Sequence, residues 1–136
     1  MLISAALVLL MTPGLAFFYG GMVKAKSVVS MMMLSFGSLG LIGVLWVLYG
    51  YAIAFANGGP ENENFIGIDG WFGIDLSYIG LGAQVADAAA PTGAYPTLAF
   101  VAFQATFAII TVALISGAIA DRAKFGAWMV FAGVWA

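Results

Sequence analysis

Along this chain the apolar positions come in long unbroken blocks, not in the alternation of a half-buried strand or the single stripe of a soluble amphipathic helix. The first block runs from Met1 to Val23 and stops at Lys24, and the second is uncharged from Ser27 to Asn57. A third extends from about Pro96 to Ala120, and a fourth opens at Phe125 and has not reached a full crossing when the sequence stops at Ala136. A hydrocarbon core about 30 Å thick takes roughly 20 helical residues to cross. The pattern therefore predicts spans over about 1–23, 28–56 and 96–120, an incomplete one over 125–136, and a loop over about 57–95. That loop is rich in glycine and holds Glu61, Glu63, Asp69, Asp75 and Asp87. It is expected to be solvated, with short interfacial helices around Trp71 and Tyr78. The predicted fold class is all-α, a polytopic transmembrane helical bundle.

Composition strengthens the membrane reading. The 136 residues are 64% apolar and only 7% charged, too few polar groups to solvate the surface of a soluble domain. A lipid bilayer is the expected surrounding. Cysteine and histidine are both absent, which removes disulfides, thiol chemistry and the usual imidazole acid, base or ligand. No phosphate-cradling glycine loop, metal-ligand cluster or nucleophile–base arrangement is present, so no catalytic residue, metal, cofactor or nucleic acid is expected and nothing argues for an enzyme.

The few charges orient the chain. Lys24 with Lys26, and Arg122 with Lys124, occupy two short turns, whereas the long loop carries no basic residue. The positive-inside bias places both turns in the cytoplasm and the N-terminus and acidic loop outside. Asp121, Arg122 and Lys124 are expected to pair and anchor the end of the third span. The opening "MLISAALVLLMTPGLA" shares the apolar core and small residue of a signal peptide, but it lacks a basic n-region and the apolar run continues through "FFYGGMV". It reads as a genuine span.

Within the third span, Phe103 and Phe107 lie four residues apart and share a helix face with Ile110 and Leu114. Counted from Pro96 at about 1.5 Å per residue, they lie roughly 10 Å and 16 Å along it, just below the outer mouth. On spacing alone two uses are open: packing against helices or lipid, the commoner fate of membrane phenylalanines, and a ring pair that narrows a pore and offers π faces to a small cation. Gln104 is expected to make an interhelical hydrogen bond. In the first span Pro13 frees a carbonyl near residue nine, and Thr12 is placed to satisfy the loosened backbone. Gly20, Gly21, Gly37, Gly40 and Gly43 read as close-packing positions. Trp46, Tyr49 and Tyr51 read as an interfacial belt, and "MMM" at Met31 to Met33 as flexible filler.

Three segments, "ALVLLMTPGLAFFYGGMVKAKSVVSMMMLSFGSLG", "LWVLYGYAIAF" and "FQATFAIITVALISGAIADRAKF", resemble the ammonium transporter family (Amt/Mep/Rh) on its Amt side. The resemblance covers nearly all the chain except the acidic loop. It implies an eleven-span fold with the N-terminus outside, assembled as a homotrimer with one pore per subunit in the cell (plasma or inner) membrane. Of that fold this chain resembles the first three spans and the start of the fourth, an N-terminal fragment. By the same resemblance Phe103 and Phe107 match the external recruitment site and gate, while Leu15, Phe18, Tyr19, Ile110 and Leu114 match pore-lining positions. The family's span-four tryptophan of the external site, its buried aspartate and its paired pore histidines are not matched here.

The implied activity is recruitment of ammonium, loss of its proton near the gate and passage of neutral ammonia, with a cytoplasmic regulatory protein as a further partner. An ammonium sensor that feeds a cytoplasmic signalling module is the alternative from another class. A small scaffold acting at the present length is a third.

Overall fold

Helix α1, Leu2–Met22, is built from a charge-free run and ends where the backbone turns extended at Val23, just ahead of Lys24. A short 3-10 turn, Ala25–Ser27, leads into α2, Val28–Leu45, and then into a π-helical turn, Trp46–Gly50, and α3, Tyr51–Ala54. The computed structural model describes residues 1–56, 63–68, 71–86, 91–92 and 95–136. Strands β1, Phe65–Ile68, and β2, Phe72–Asp75, form an antiparallel hairpin with Phe65 opposite Asp75 and Ile68 opposite Phe72. A 3-10 stretch, Leu76–Leu81, and α4, Gly82–Ala86, follow. The two-residue strands β3, Pro91–Thr92, and β4, Tyr95–Pro96, pair antiparallel ahead of α5, Thr97–Ile115. After a 3-10 turn, Ser116–Ile119, and a left-handed Asp121 (φ 62°), α6 runs Phe125–Trp135.

Three helical stretches are long and apolar enough to cross a membrane: Leu2–Met22, Ala25–Ala54 and Thr97–Ile119. The third starts one residue after Pro96, and α6 is shorter. The chain divides into two compact units, one of Met1–Gly43 with Ala102–Ala136 and the other of Val44–Val101.

The first unit buries small side chains. Ala16, Ala113 and Ala132 are fully enclosed, as are Ser35, Ser38 and Ser116, which lets helices approach closely where no hydrophobic force between apolar surfaces in lipid drives them together. Ser38 and Ser116 donate to the carbonyls of Leu34 and Ala113 at 2.9 and 2.7 Å, so these hydroxyls are satisfied on their own helices. Trp128 of α6 is inserted against α2, its Nε1 donating to the Leu34 carbonyl and to Ser38 Oγ, both at 3.0 Å. The outward side chains Leu2, Ile3, Leu7, Leu10 and Phe17 are exposed and apolar, a surface suited to acyl chains. Pro13 is accommodated within a continuous α1. Thr12, however, does not relieve the backbone there: it is buried, and among the described residues its hydroxyl has no partner.

The second unit departs further from expectation. Tyr51 is not in a belt facing the interface; it is buried, stacked on Phe55 at 4.7 Å and set edge-on to Trp46 at 6.1 Å. Tyr78, distant in sequence, closes on Tyr51 at 5.8 Å. Around Trp71 there is a hairpin tip and not a helix, with the indole 87% exposed; a 3-10 turn does form at Tyr78. The hairpin closes tightly because Gly67 faces Gly73 in register, where a Cβ on Gly73 would overlap the Phe65 ring. Asp75 is not a solvated loop acid: it is 1% exposed and accepts from the backbone N–H and the hydroxyl of Ser77, starting the 3-10 turn. Glu61, Asp69 and Asp87 lie outside the described residues.

Candidate functional site

The ring pair of α5 is formed. Phe103 and Phe107 meet edge to face with centroids 5.0 Å apart and planes at 76°, the arrangement that ring quadrupoles favour. Their backbone carbonyls each take an extra side-chain donor: Thr106 Oγ1 bonds Phe103 O at 2.6 Å, and Thr111 Oγ1 bonds Phe107 O at 2.7 Å. Threonines three and four residues after the phenylalanines are the sequence signal for this local support.

A rotation of about 100° per residue explains how the stripe is exposed. Thr106, Ile109, Val112, Ala113 and Ser116 are buried in the first unit. Ile110 sits at the edge of that buried face and is 6% exposed, Phe103 is half-buried at its rim, and Phe107 and Leu114 open outward at 43% and 50%. The four residues share a side of the helix, but Ile110 is enclosed by this chain's own packing. Gln104 points away from the buried face and, although half-buried, makes no side-chain hydrogen bond among the described residues. The expected interhelical bond is not formed.

On α1, Leu15 and Tyr19 are half-buried and Phe18 is exposed, with the Phe18 and Tyr19 rings 5.9 Å apart. The Tyr19 hydroxyl ties this group to α5, donating to the Leu114 carbonyl at 3.1 Å. That carbonyl lies where α5 tightens into its 3-10 turn, a place where helix carbonyls lose regular partners. The ring fits because residue 117 is glycine: a Cβ there would fall 2.7 Å from Tyr19 Cζ. Gly117 escapes a motif reading because its role depends on a contact between residues far apart in sequence. Leu114 lies about 10 Å below Phe107 along the helix axis, at about 1.5 Å per residue. An aromatic pair therefore tops an aliphatic step that ends at a phenol.

Among the described residues no group of histidine, cysteine, aspartate or glutamate could hold a metal ion. The site offers π faces, apolar walls and one phenol.

Comparison with known sequences shows the family. A family model described as Ammonium Transporter Family matches residues 1–136. Over 143 residues the chain is 54% identical to an ammonium transporter of Mycobacterium tuberculosis (strain ATCC 25618 / H37Rv), covering 100% of this chain and 30% of that protein. It is 46% identical over 136 residues to an ammonium transporter of Bacillus subtilis (strain 168), covering 100% of this chain and 31% of that one. A putative ammonium transporter of Methanothermobacter thermautotrophicus is 48% identical over 136 residues, covering 99% and 31%. The chain thus spans about a third of the length of these curated relatives.

Proposed function

Because the chain belongs to the ammonium transporter family and carries three helices able to cross a membrane, we propose that it forms part of a pathway for ammonium, with Phe103 and Phe107 as the recruitment site and gate. The observation that carries this reading is the ring pair itself: the rings touch at 5.0 Å, and Phe107 is open on the side of α5 away from the unit's own packing.

Magnitudes decide the mechanism. A cation–π contact returns about 0.5–2 kcal/mol, whereas carrying a charge through an aliphatic passage costs several kcal/mol even after relaxation. The rings recruit the ion but do not carry it past Ile110 and Leu114. Taking a proton at pH 7 from an amine with a Lys-like pKa near 10.4 costs about 4–5 kcal/mol, at about 1.36 kcal/mol per unit. That is competitive with dragging the charge along. Ammonium therefore binds at the rings, releases its proton near Phe107 to water or a basic group beyond these residues, and continues as neutral ammonia along Ile110 and Leu114, with Leu15, Phe18 and Tyr19 supplied by α1.

In this reading the basic turns face the cytoplasm and the N-terminus and acidic loop face outward. The full-length protein is a homotrimer with a pore in each subunit and meets its regulatory protein at the cytoplasmic face. The test is Phe107→Ala in the full-length protein, expressed in cells without their own ammonium uptake. Losing about 0.5–2 kcal/mol of recruitment lowers methylammonium uptake roughly 2- to 30-fold, or lets potassium compete. Unchanged uptake together with unchanged exclusion of potassium would refute the gate.

A further inference from the structure

All four basic residues of the chain lie in the two turns at one end of the first unit, and the same two turns enclose a cleft of about 140 Å³. Ser27 lines it from the turn after α1, Ser30 from the first turn of α2, Asp121 and Ala123 from the turn after α5, and the buried Met31 and Leu34 lie at its base. Lys26 precedes Ser27, while Arg122 and Lys124 flank Ala123. Lys24, Lys26, Asp121, Arg122 and Lys124 are all exposed. The expected pairing among Asp121, Arg122 and Lys124 is not made: among the described residues none of the five charges has an ion-pair partner, and the Ser27 and Ser30 hydroxyls make no hydrogen bond.

We infer that this cleft seats the headgroup of phosphatidylethanolamine. Its volume is several times the ~30 Å³ share of a water molecule in the liquid, and its polar rim, with Met31 and Leu34 at its base, matches an amphiphile at the bilayer boundary. A bare anion fits poorly, because the acidic residue Asp121 lines the same space. A headgroup carrying both charges fits both sets of groups: a primary ammonium donates to the Asp121 carboxylate and the serine hydroxyls, and the phosphate lies among the flanking cations. Choline carries the same charge but has no N–H to donate, so the cleft discriminates between the two headgroups by hydrogen bonding. The inference rests on the membrane-spanning reading of the chain but not on transport, and its readout is lipid retention, so its failure and a failure of uptake are separate results.

The experiment is native mass spectrometry of the full-length protein titrated with phosphatidylethanolamine, phosphatidylcholine and phosphatidylglycerol of matched acyl chains. A net hydrogen bond contributes about 0.5–1.5 kcal/mol, so the expected margin for ethanolamine over choline is about 2- to 13-fold. Asp121→Asn should remove that margin, and Ser30→Ala, a milder change that keeps the charges, should reduce it. Lys26→Gln combined with Arg122→Gln should lower retention of all three lipids together. Equal retention of ethanolamine and choline headgroups by the unaltered protein overturns the proposal. So does a margin that survives both Asp121→Asn and Ser30→Ala, or a preference for phosphatidylglycerol that Asp121→Asn leaves unchanged, the mark of a merely basic surface.

Discussion

At the scale of single residues, Tyr19 combines a ring that fills the space left by Gly117 with a hydroxyl that satisfies the Leu114 carbonyl. Phenylalanine keeps the first role and loses the second. Hydrogen bonds between membrane helices average about 0.6 kcal/mol and reach about 1.7, so Tyr19→Phe should destabilise the full-length protein by about 0.5–1.5 kcal/mol in reversible unfolding from mixed micelles. Gly117→Ala should cost at least as much, because the added Cβ displaces the ring and breaks the same bond. The two changes act on one contact and should be strongly non-additive in a double-mutant cycle. Additive losses would mean that the phenol and the glycine do not depend on each other.

At the scale of elements, α6 is held to α2 by the Trp128 side chain, whose indole N–H reaches Leu34 and Ser38 while Phe125 and Met129 lie over Gly37. Trp128→Phe removes both hydrogen bonds and part of a fully buried ring. A loss of about 1–3 kcal/mol is expected, measured by the same unfolding assay, and Ser38→Ala should cost less because the indole still has the Leu34 carbonyl. The helices themselves are legible in the sequence, since apolar blocks interrupted only by Lys24, the acidic loop and Asp121 leave few other ways to satisfy a backbone in lipid. The π-helical turn at Trp46–Gly50, the hairpin and the burial of Tyr51 are not, because they follow from packing of Tyr78 and Phe55 on Tyr51 and not from any local period. The same division runs through the candidate site. A spacing of four makes the Phe103–Phe107 contact readable, but the Tyr19–Leu114 bond spans 95 residues and has no local signature. Ile110 departs from the open stripe because the buried arc of α5, centred near Ile109 and Ala113, reaches it.

At the scale of the molecule, the chain has no cysteine, so orientation can be read with single introduced thiols. In intact cells a membrane-impermeant maleimide should label Trp71→Cys, at the exposed hairpin tip, and should reach Lys26→Cys only after permeabilisation. The reverse pattern would overturn the assignment of the acidic loop to the outside. Ser38 has a consequence for biosynthesis as well. Its hydroxyl already bonds Leu34 within its own helix, whereas Trp128 is 90 residues further along and, at about 5–20 residues per second, emerges from the ribosome roughly 5–20 seconds later. During that interval the Ser38 hydroxyl is already satisfied on its own helix, and the indole joins a bond that already exists when the later segment arrives.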